Sequence, residues 1–300
     1  MCVELWRYPA ARSALERLSA VMGDDLEAIT TRMPAEELLL TFHAQRAIHA
    51  HHVGHWLAFR AAHPEAELAG AIGHSVGVVA ALVAAEALSV EDSGFFVLER
   101  ARAFADVCAK LPEPSGLAAL ATENLEDALD ELAAFPRLSL ALSNSVGKGV
   151  VGGPISELMA FAAKARAEGW PLRVQLLRVQ GPYHTAAFAA CREPLAAALD
   201  RLTLRAPRVP VFMGTSGRSE TDPDRIRRLL AEQPSTRERH LDAVRASYAA
   251  GCRVYLEVAA RPQPIHWLSD QLVDEAGAAL SGVTTLALTT EDLVRPILDG

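Results

Sequence analysis

Residues 73–77 read Gly-His-Ser-Val-Gly, a G-x-S-x-G. A serine hydroxyl is a weak nucleophile until a base takes its proton, and it must stand clear of the chain to meet a carbonyl carbon. A sharp strand-to-helix turn meets the second need. It lifts the Ser75 hydroxyl and aims the first helical amide, that of Val76, at a developing oxyanion. The helix dipole adds partial positive charge at the same point. Such a turn asks for small flanking residues, and Gly73 and Gly77 supply them. The competing reading is a glycine-rich turn with an ordinary serine.

Ten histidines could serve as the base. His74 adjoins the serine, and neighbouring side chains on an elbow diverge, so it reads as a packing or hydrogen-bonding residue beside the site. His43, His49, His51, His52 and His55 crowd one helix. His51 and His55 have the i, i+4 spacing of helical zinc ligands, but no acidic or cysteine partner is near in sequence. The expectation is a partly exposed helix face and no metal. His184, in VQGPYHTAAF, follows a Gly-Pro break after a strand and is expected to open a helix. That is the edge where parallel α/β sheets gather their sites. Arg100, in FVLERARAF, reads from periodicity as a solvated or salt-bridged side chain.

These residues need elements to hold them. Helices are expected over 10–21 and 35–60, a short buried strand over 67–73, then an apolar helix after Gly77 and another over 91–110. The segments 116–122, 124–135, 137–144, 148–153, 154–168 and 172–179 read strand, helix, strand, strand, helix, strand. That is the order of a ferredoxin-like split unit. A helix from His184 to Leu202, a strand at 209–213, helices near 222–232 and 238–250, and strands at 253–258 and near 283–289 follow. Parallel strands alternating with helices imply a doubly wound α/β body.

The chain has 300 residues, is 50% hydrophobic and carries a net charge of −8. That supports one sizeable core, and the acidity without a dense Lys/Arg run argues against nucleic-acid binding. Cys2, Cys108, Cys191 and Cys252 are widely spread and form no CxxC pair, so reduced thiols are expected. No apolar run reaches the roughly 18 residues of a membrane span. The charged start, MCVELWRYPAARSAL, does not read as a secretory signal. The expected location is the cytoplasm, away from membranes.

GHSVG, then Arg100, then PYHTAAF at 182–188 together resemble the malonyl-CoA:acyl-carrier-protein transacylase family, which includes polyketide synthase and starter-unit acyltransferase domains. The resemblance runs from about Tyr8 to the last helices. It implies an α/β-hydrolase-like parallel-sheet body, residues 1–114 and 184–300, with an inserted ferredoxin-like subdomain, residues 115–183. It implies Ser75 as nucleophile, His184 as base and the Val76 amide in the oxyanion hole. Arg100 would pair with the free carboxylate of a malonyl group, as a guanidinium fork suits a carboxylate. Gln45, Asn144, Tyr183 and His74 would line the substrate site, and the Gln233 backbone carbonyl would orient His184, with no acidic third member required. No cofactor is expected. Acyl-CoA or acyl-phosphopantetheine would be substrate and an acyl carrier protein the partner. Lys164, Arg166, Arg173, Arg178, Arg205 and Arg208 are candidate contacts for such an acidic partner.

Three features depart from the family pattern. The GQGSQ loop, whose glutamine amide is the second oxyanion donor, is not among these residues. The expectation is a shortened chain, a substitute donor or a slow enzyme. Tyr183 stands where malonyl-selective members carry phenylalanine, which looks more like starter-unit transferases. AARPQP at 259–264 replaces a GPG segment. Two further readings stand beside transacylation: hydrolysis of an acyl thioester by the same machinery, and a non-catalytic carrier-protein-binding homologue. A generic esterase histidine lies near the C-terminus, unlike His184, and an intact Ser75 and His184 argue for catalysis.

Overall fold

The computed structural model describes residues 3–258, 268, 271, 272, 280 and 282–287. The AARPQP segment lies outside the described residues.

The first part of the chain is helical: α1 (Pro9–Met22), α2 (Leu26–Thr31), α3 (Ala35–Leu38) and α4 (Thr41–Ala62). The single helix expected over 35–60 is interrupted. Leu40 is extended, and the Thr41 backbone N–H donates to the Gln180 side-chain carbonyl instead of continuing α3. β1 (Ala71–Gly73) runs through the GHSVG turn into α5 (Gly77–Ala84), and α6 (Val90–Ala109) follows, capped by the Ser89 hydroxyl. Leu15, Leu18, Val79, Leu82, Phe96 and Phe104 of these helices share the main core. Removing such apolar area from water, at about 25 cal/mol per Å², fixes α5 against β1 and α4, and α6 against α1 and α4.

Next come β2 (Ser115–Ala121), α7 (Leu125–Leu132), β3 (Ser139–Ser143), β4 (Lys148–Pro154), α8 (Ile155–Ala167) and β5 (Arg173–Leu176). The chain then passes a 3₁₀ segment, Ala186–Cys191, and enters α9 (Arg192–Leu199), β6 (Val211–Met213), β7 (Arg218–Glu220), α10 (Pro223–Glu232), a 3₁₀ turn at Gln233–Ser235, β8 (Glu238–Arg239), α11 (His240–Ala249), β9 (Val254–Glu257) and β10 (Thr284–Ala287).

Three sheets result among the described residues: β1-β6-β7, β9 with β10, and β5-β2-β4-β3-β8. In the last, β2 is antiparallel to both β4 and β5, and β3 is antiparallel to β4. Its own small core holds Leu120, Leu125, Val151, Leu158 and Phe161. The fifth strand, β8, comes from residues beyond 183 and pairs parallel to β3, Leu142 opposite Glu238. The other two sheets are short. β1 pairs parallel with β6 and β9 with β10, but β7 is antiparallel to β6, because the turn from Met213 to Gly217 sends the chain straight back. The architecture is therefore mixed α/β, with parallel pairing among the described residues confined to three short pairs, β1 with β6, β9 with β10 and β3 with β8. Among the described residues no helix is long and apolar enough to cross a membrane.

Candidate active site

The turn after β1 depends on Gly73. A Cβ there would lie 2.1 Å from the Val78 backbone N and Cα, so only glycine lets the strand end pass the helix start. Gly77 is under no such demand, since a Cβ on it would meet His52 at 3.6 Å, an ordinary contact. The expectation that both glycines are needed for space therefore holds for the first only.

Ser75 has φ of +50° and His184 φ of +61°. Both lie in the left-handed region, which costs a non-glycine residue about 1–3 kcal/mol and persists only where neighbours enforce it. For Ser75 the enforcing contacts are the turn hydrogen bonds Gly77 N–H to His74 O and Val78 N–H to Ser75 O. For His184 it is the backbone N–H, which donates to Pro234 O at 2.8 Å. That bond also keeps His184 out of the helix it was expected to open, which begins as 3₁₀ at Ala186.

The two residues meet. Ser75 Oγ lies 2.8 Å from His184 Nε2, and His184 Nδ1 lies 3.0 Å from the Gln233 carbonyl oxygen. A carbonyl only accepts, so Nδ1 carries the proton and Nε2 is the lone-pair acceptor facing the hydroxyl. Burial, then the nearby Arg100 and His74, push the His184 pKa down to about 3. The imidazole is thus neutral and able to take a proton.

Arg100 is 1% exposed, so the solvated reading from periodicity is wrong. Its Nη2 donates to Gln233 Oε1 at 3.2 Å and stands 3.4 Å from Ser75 Oγ, Nη1 donates to Gln45 Oε1, and the guanidinium lies 4.2 Å above the Phe104 ring. Its Nε has no partner. Burial lowers its pKa to about 10, which leaves it cationic at neutral pH. The partners are neutral oxygens, so the cation has unspent capacity for an anion beside the serine. Gln45 is itself held by Thr41 Oγ1 at 2.9 Å. Tyr183 packs its ring on Phe104 and Phe188, behind the guanidinium, and burial raises its pKa to about 12.

His74 and Asn144 form a second pair, His74 Nε2 donating to Asn144 Oδ1 at 3.0 Å, with the His240 ring edge-on to His74. Ser75, His184, Arg100, Gln45 and Gln233 thus form one hydrogen-bonded chain. Val76 adjoins it, while Tyr183, His74 and Asn144 flank it. The α4 histidines contribute nothing here. His49, His51 and His55 are buried, and only His43 and His52 keep the partly exposed character expected of all five; His49 Nε2 meets Ser93 Oγ, while its Nδ1 has no partner. Among the described residues no group of His, Cys, Asp or Glu could hold a metal. A cavity of about 690 Å³ lies between the β1 and β9 edges, but Ser75, His184 and Arg100 do not line it.

Sequence reasoning missed Glu238. Its neighbours, Arg237 and Arg239, make the segment read as solvated charge, yet Glu238 is fully buried and its Oε2 lies 4.0 Å from His184 Nδ1. The only signal was its spacing from Gln233, and that carries no burial information.

The family described as acyl transferase domain matches residues 1–289. The malonyl CoA-acyl carrier protein transacylase of Salmonella typhimurium is 30% identical over 230 residues, 75% of this chain and 73% of that protein. Among solved structures, MCAT from Mycobacterium tuberculosis superposes with a TM-score of 0.87 at 22% identity, covering 98% of this chain and 93% of that one. A malonyl-transacylase in complex with its type II PKS acyl-carrier protein gives 0.85 at 22% identity, with coverage of 98% and 93%.

Proposed function

The chain belongs to the acyl transferase domain family, and on that premise we propose that it moves an acyl group from a thioester to the phosphopantetheine thiol of an acyl carrier protein through an ester on Ser75. The observation that carries this reading is the 2.8 Å contact between Ser75 Oγ and a neutral, buried His184. His184 Nε2 takes the hydroxyl proton as Ser75 attacks the thioester carbonyl, and the Val76 N–H faces the oxyanion. The departing thiolate receives that proton. In the second half the carrier thiol gives its proton to His184 and attacks the ester carbonyl, and His184 returns the proton to the departing Ser75 oxygen. The Gln233 carbonyl keeps the imidazole in the tautomer both halves need. Serine, imidazole, amide and the carrier thiol supply every proton and charge in this sequence, so it calls for no resident cofactor.

Arg100 is the reason to favour an acyl group with a free carboxylate, malonyl or a related unit. Glu238 acts on this buried cation only from a distance, its hydrogen-bond partners being neutral oxygens, and a substrate carboxylate bonded directly to it would offset the cost of its burial. Tyr183 shapes the wall behind Phe104, while His74, Asn144 and Gln45 complete the lining. The finer fold assignment is an α/β-hydrolase-like body, residues 1–114 and 184–300, with a ferredoxin-like insert at 115–183. The strand order β5-β2-β4-β3, with α7 and α8 between its strands, supports it. The relative solved with a carrier protein supports that partner. Arg166, Arg173, Arg178 and Arg205 are exposed and available to an acidic surface, while Arg208 is exposed but paired with Glu86. The reaction is placed in the cytoplasm, where acyl-CoA donors are found.

The test is to incubate the protein with single acyl-CoAs and holo-acyl carrier protein and to weigh the carrier. Malonyl appearing on the carrier thiol is the expected result. Release of free acid with an unmodified carrier would overturn transfer in favour of hydrolysis.

A further inference from the structure

Glu238 is the one strongly perturbed buried carboxylate beside the dyad, and the mechanism above does not use it. It sits on β8, with 0% of its surface exposed. Its carboxylate is built into the elbow from three sides. The Ser75 backbone N–H is directed at it, Gln233 Nε2 reaches its Oε2 at 3.5 Å, and His184 Nδ1 lies 4.0 Å away. The same Gln233 Nε2 donates to the Ser75 carbonyl at 3.1 Å, so Glu238, Gln233 and the backbone of Ser75 form one small network. On the fourth side is Gly214, where a Cβ would fall 2.0 Å from Glu238 Oε1. Glycine there leaves room for the carboxylate, whose Oε1 has no partner.

A buried carboxylate with an unsatisfied oxygen costs stability. An apolar side chain of that size would pack without the cost. The structure keeps the carboxylate beside a histidine whose basicity burial, Arg100 and His74 all suppress. A base so weakened takes a proton poorly unless a negative charge stands near the cation that forms.

We propose that Glu238 is a positioning residue for the dyad: its ionised carboxylate holds the Ser75 elbow through the backbone N–H and Gln233, and offsets the positive charge that His184 gains on taking the Ser75 proton. The inference rests on the Ser75–His184 reading above. In the resting state His184 is neutral and there is no ion pair. The attraction exists only once the proton has moved, so it favours the transition state over the ground state. The charged and titratable groups that face Glu238 are Arg100 from α6 and His184 beside the elbow. Arg237, just before β8, and Arg239 on it are bonded elsewhere, to Ser143 Oγ and the Ser216 carbonyl. Burial, opposed by the Ser75 N–H, Arg100 and Gln233, raises the Glu238 pKa to about 7. The carboxylate therefore ionises as pH rises through neutrality, and the rate should rise with it.

The test is the rate at which a fluorophosphonate probe labels Ser75 in the full chain, from about pH 6 to about pH 8.5. This probe needs the dyad but no particular acyl group. The unaltered protein should label faster as pH rises through neutrality. Glu238→Gln, nearly equal in size, should label about ten-fold or more slowly at the upper end and lose the rise. Glu238→Asp should recover part of both, and KM for the acyl donor should stay unchanged. Glu238→Gln labelling at the native rate with the native pH profile would overturn the proposal. Should the variant fail to fold, a flat profile in the unaltered protein over the same range overturns it equally. No labelling of Ser75 in the unaltered protein would instead sink the dyad reading beneath it.

Discussion

Arg100 Nη2 stands 3.4 Å from Ser75 Oγ, on the same side of the elbow as the base. An acyl group esterified to that oxygen and ending in a carboxylate would meet the guanidinium. A charge-assisted hydrogen bond in a dry site contributes about 1.5–3 kcal/mol. Arg100→Ala should therefore reduce malonyl transfer about ten-fold or more, while sparing acetyl and longer uncharged groups. Transfer rates across a panel of acyl-CoAs decide this. An unaltered protein that prefers uncharged acyl groups, with a preference Arg100→Ala does not change, would return Arg100 to a structural role.

The two glycines of the elbow should behave differently. Gly73→Ala forces a Cβ onto the Val78 backbone and should destroy the turn, with loss of Ser75 labelling and a lowered melting temperature. Gly77→Ala meets only the His52 ring at ordinary distance and should change stability by no more than about 1 kcal/mol. Thermal melts of both variants check this. Equal damage at the two positions would mean that the turn is constrained by something other than the Val78 contact.

Stability should depend on pH through buried groups of opposite kind. His49 and His184 have pKa values lowered to about 3 by burial, so the unfolded chain binds protons they refuse. Their contribution is fully present above the unfolded histidine pKa, roughly 6.5, and is lost as pH falls below it. Glu238, raised to about 7, acts in the other direction. Its neutral form is favoured in the fold, and that stability is lost as pH rises from the unfolded carboxylate value through 7. Glu238→Gln should thus be more stable than the parent at pH 8, by up to about 3 kcal/mol, with the gain vanishing below about pH 4.5. Urea titrations at several pH values measure the difference. A variant less stable than its parent at pH 8 would mean that the carboxylate's contacts outweigh its burial.

Much of the site was legible in the sequence because its chemistry depends on local patterns. The G-x-S-x-G between a strand and an apolar helix located Ser75, and the Gly-Pro break located His184 at the end of an element. The strands and helices from Ser115 to Leu176 were readable from alternation and apolar periodicity. What was not legible depends on tertiary packing. Helical periodicity made Arg100 look solvated, though the Phe104 ring and the Gln45 and Gln233 amides bury it. The α4 histidines looked half exposed, though α1 and α6 cover that helix. Glu238 fell at the start of a helix expected near 238–250, though Glu238–Arg239 instead adds to the edge of β3 as β8 and the helix begins at His240. The break before Thr41 depends on Gln180, far along the chain, and no local signal marks it.

Transfer by this route passes through an acyl-enzyme at Ser75. Incubating the protein with malonyl-CoA, quenching with acid and measuring the intact mass and the peptide masses tests it most directly. The protein should gain one malonyl group, carried by the peptide that contains Ser75. Ser75→Ala should gain none while keeping its circular dichroism, and His184→Ala should acylate about 10²–10⁴-fold more slowly. A malonyl adduct that forms at native speed in Ser75→Ala, on any other residue, would contradict the mechanism.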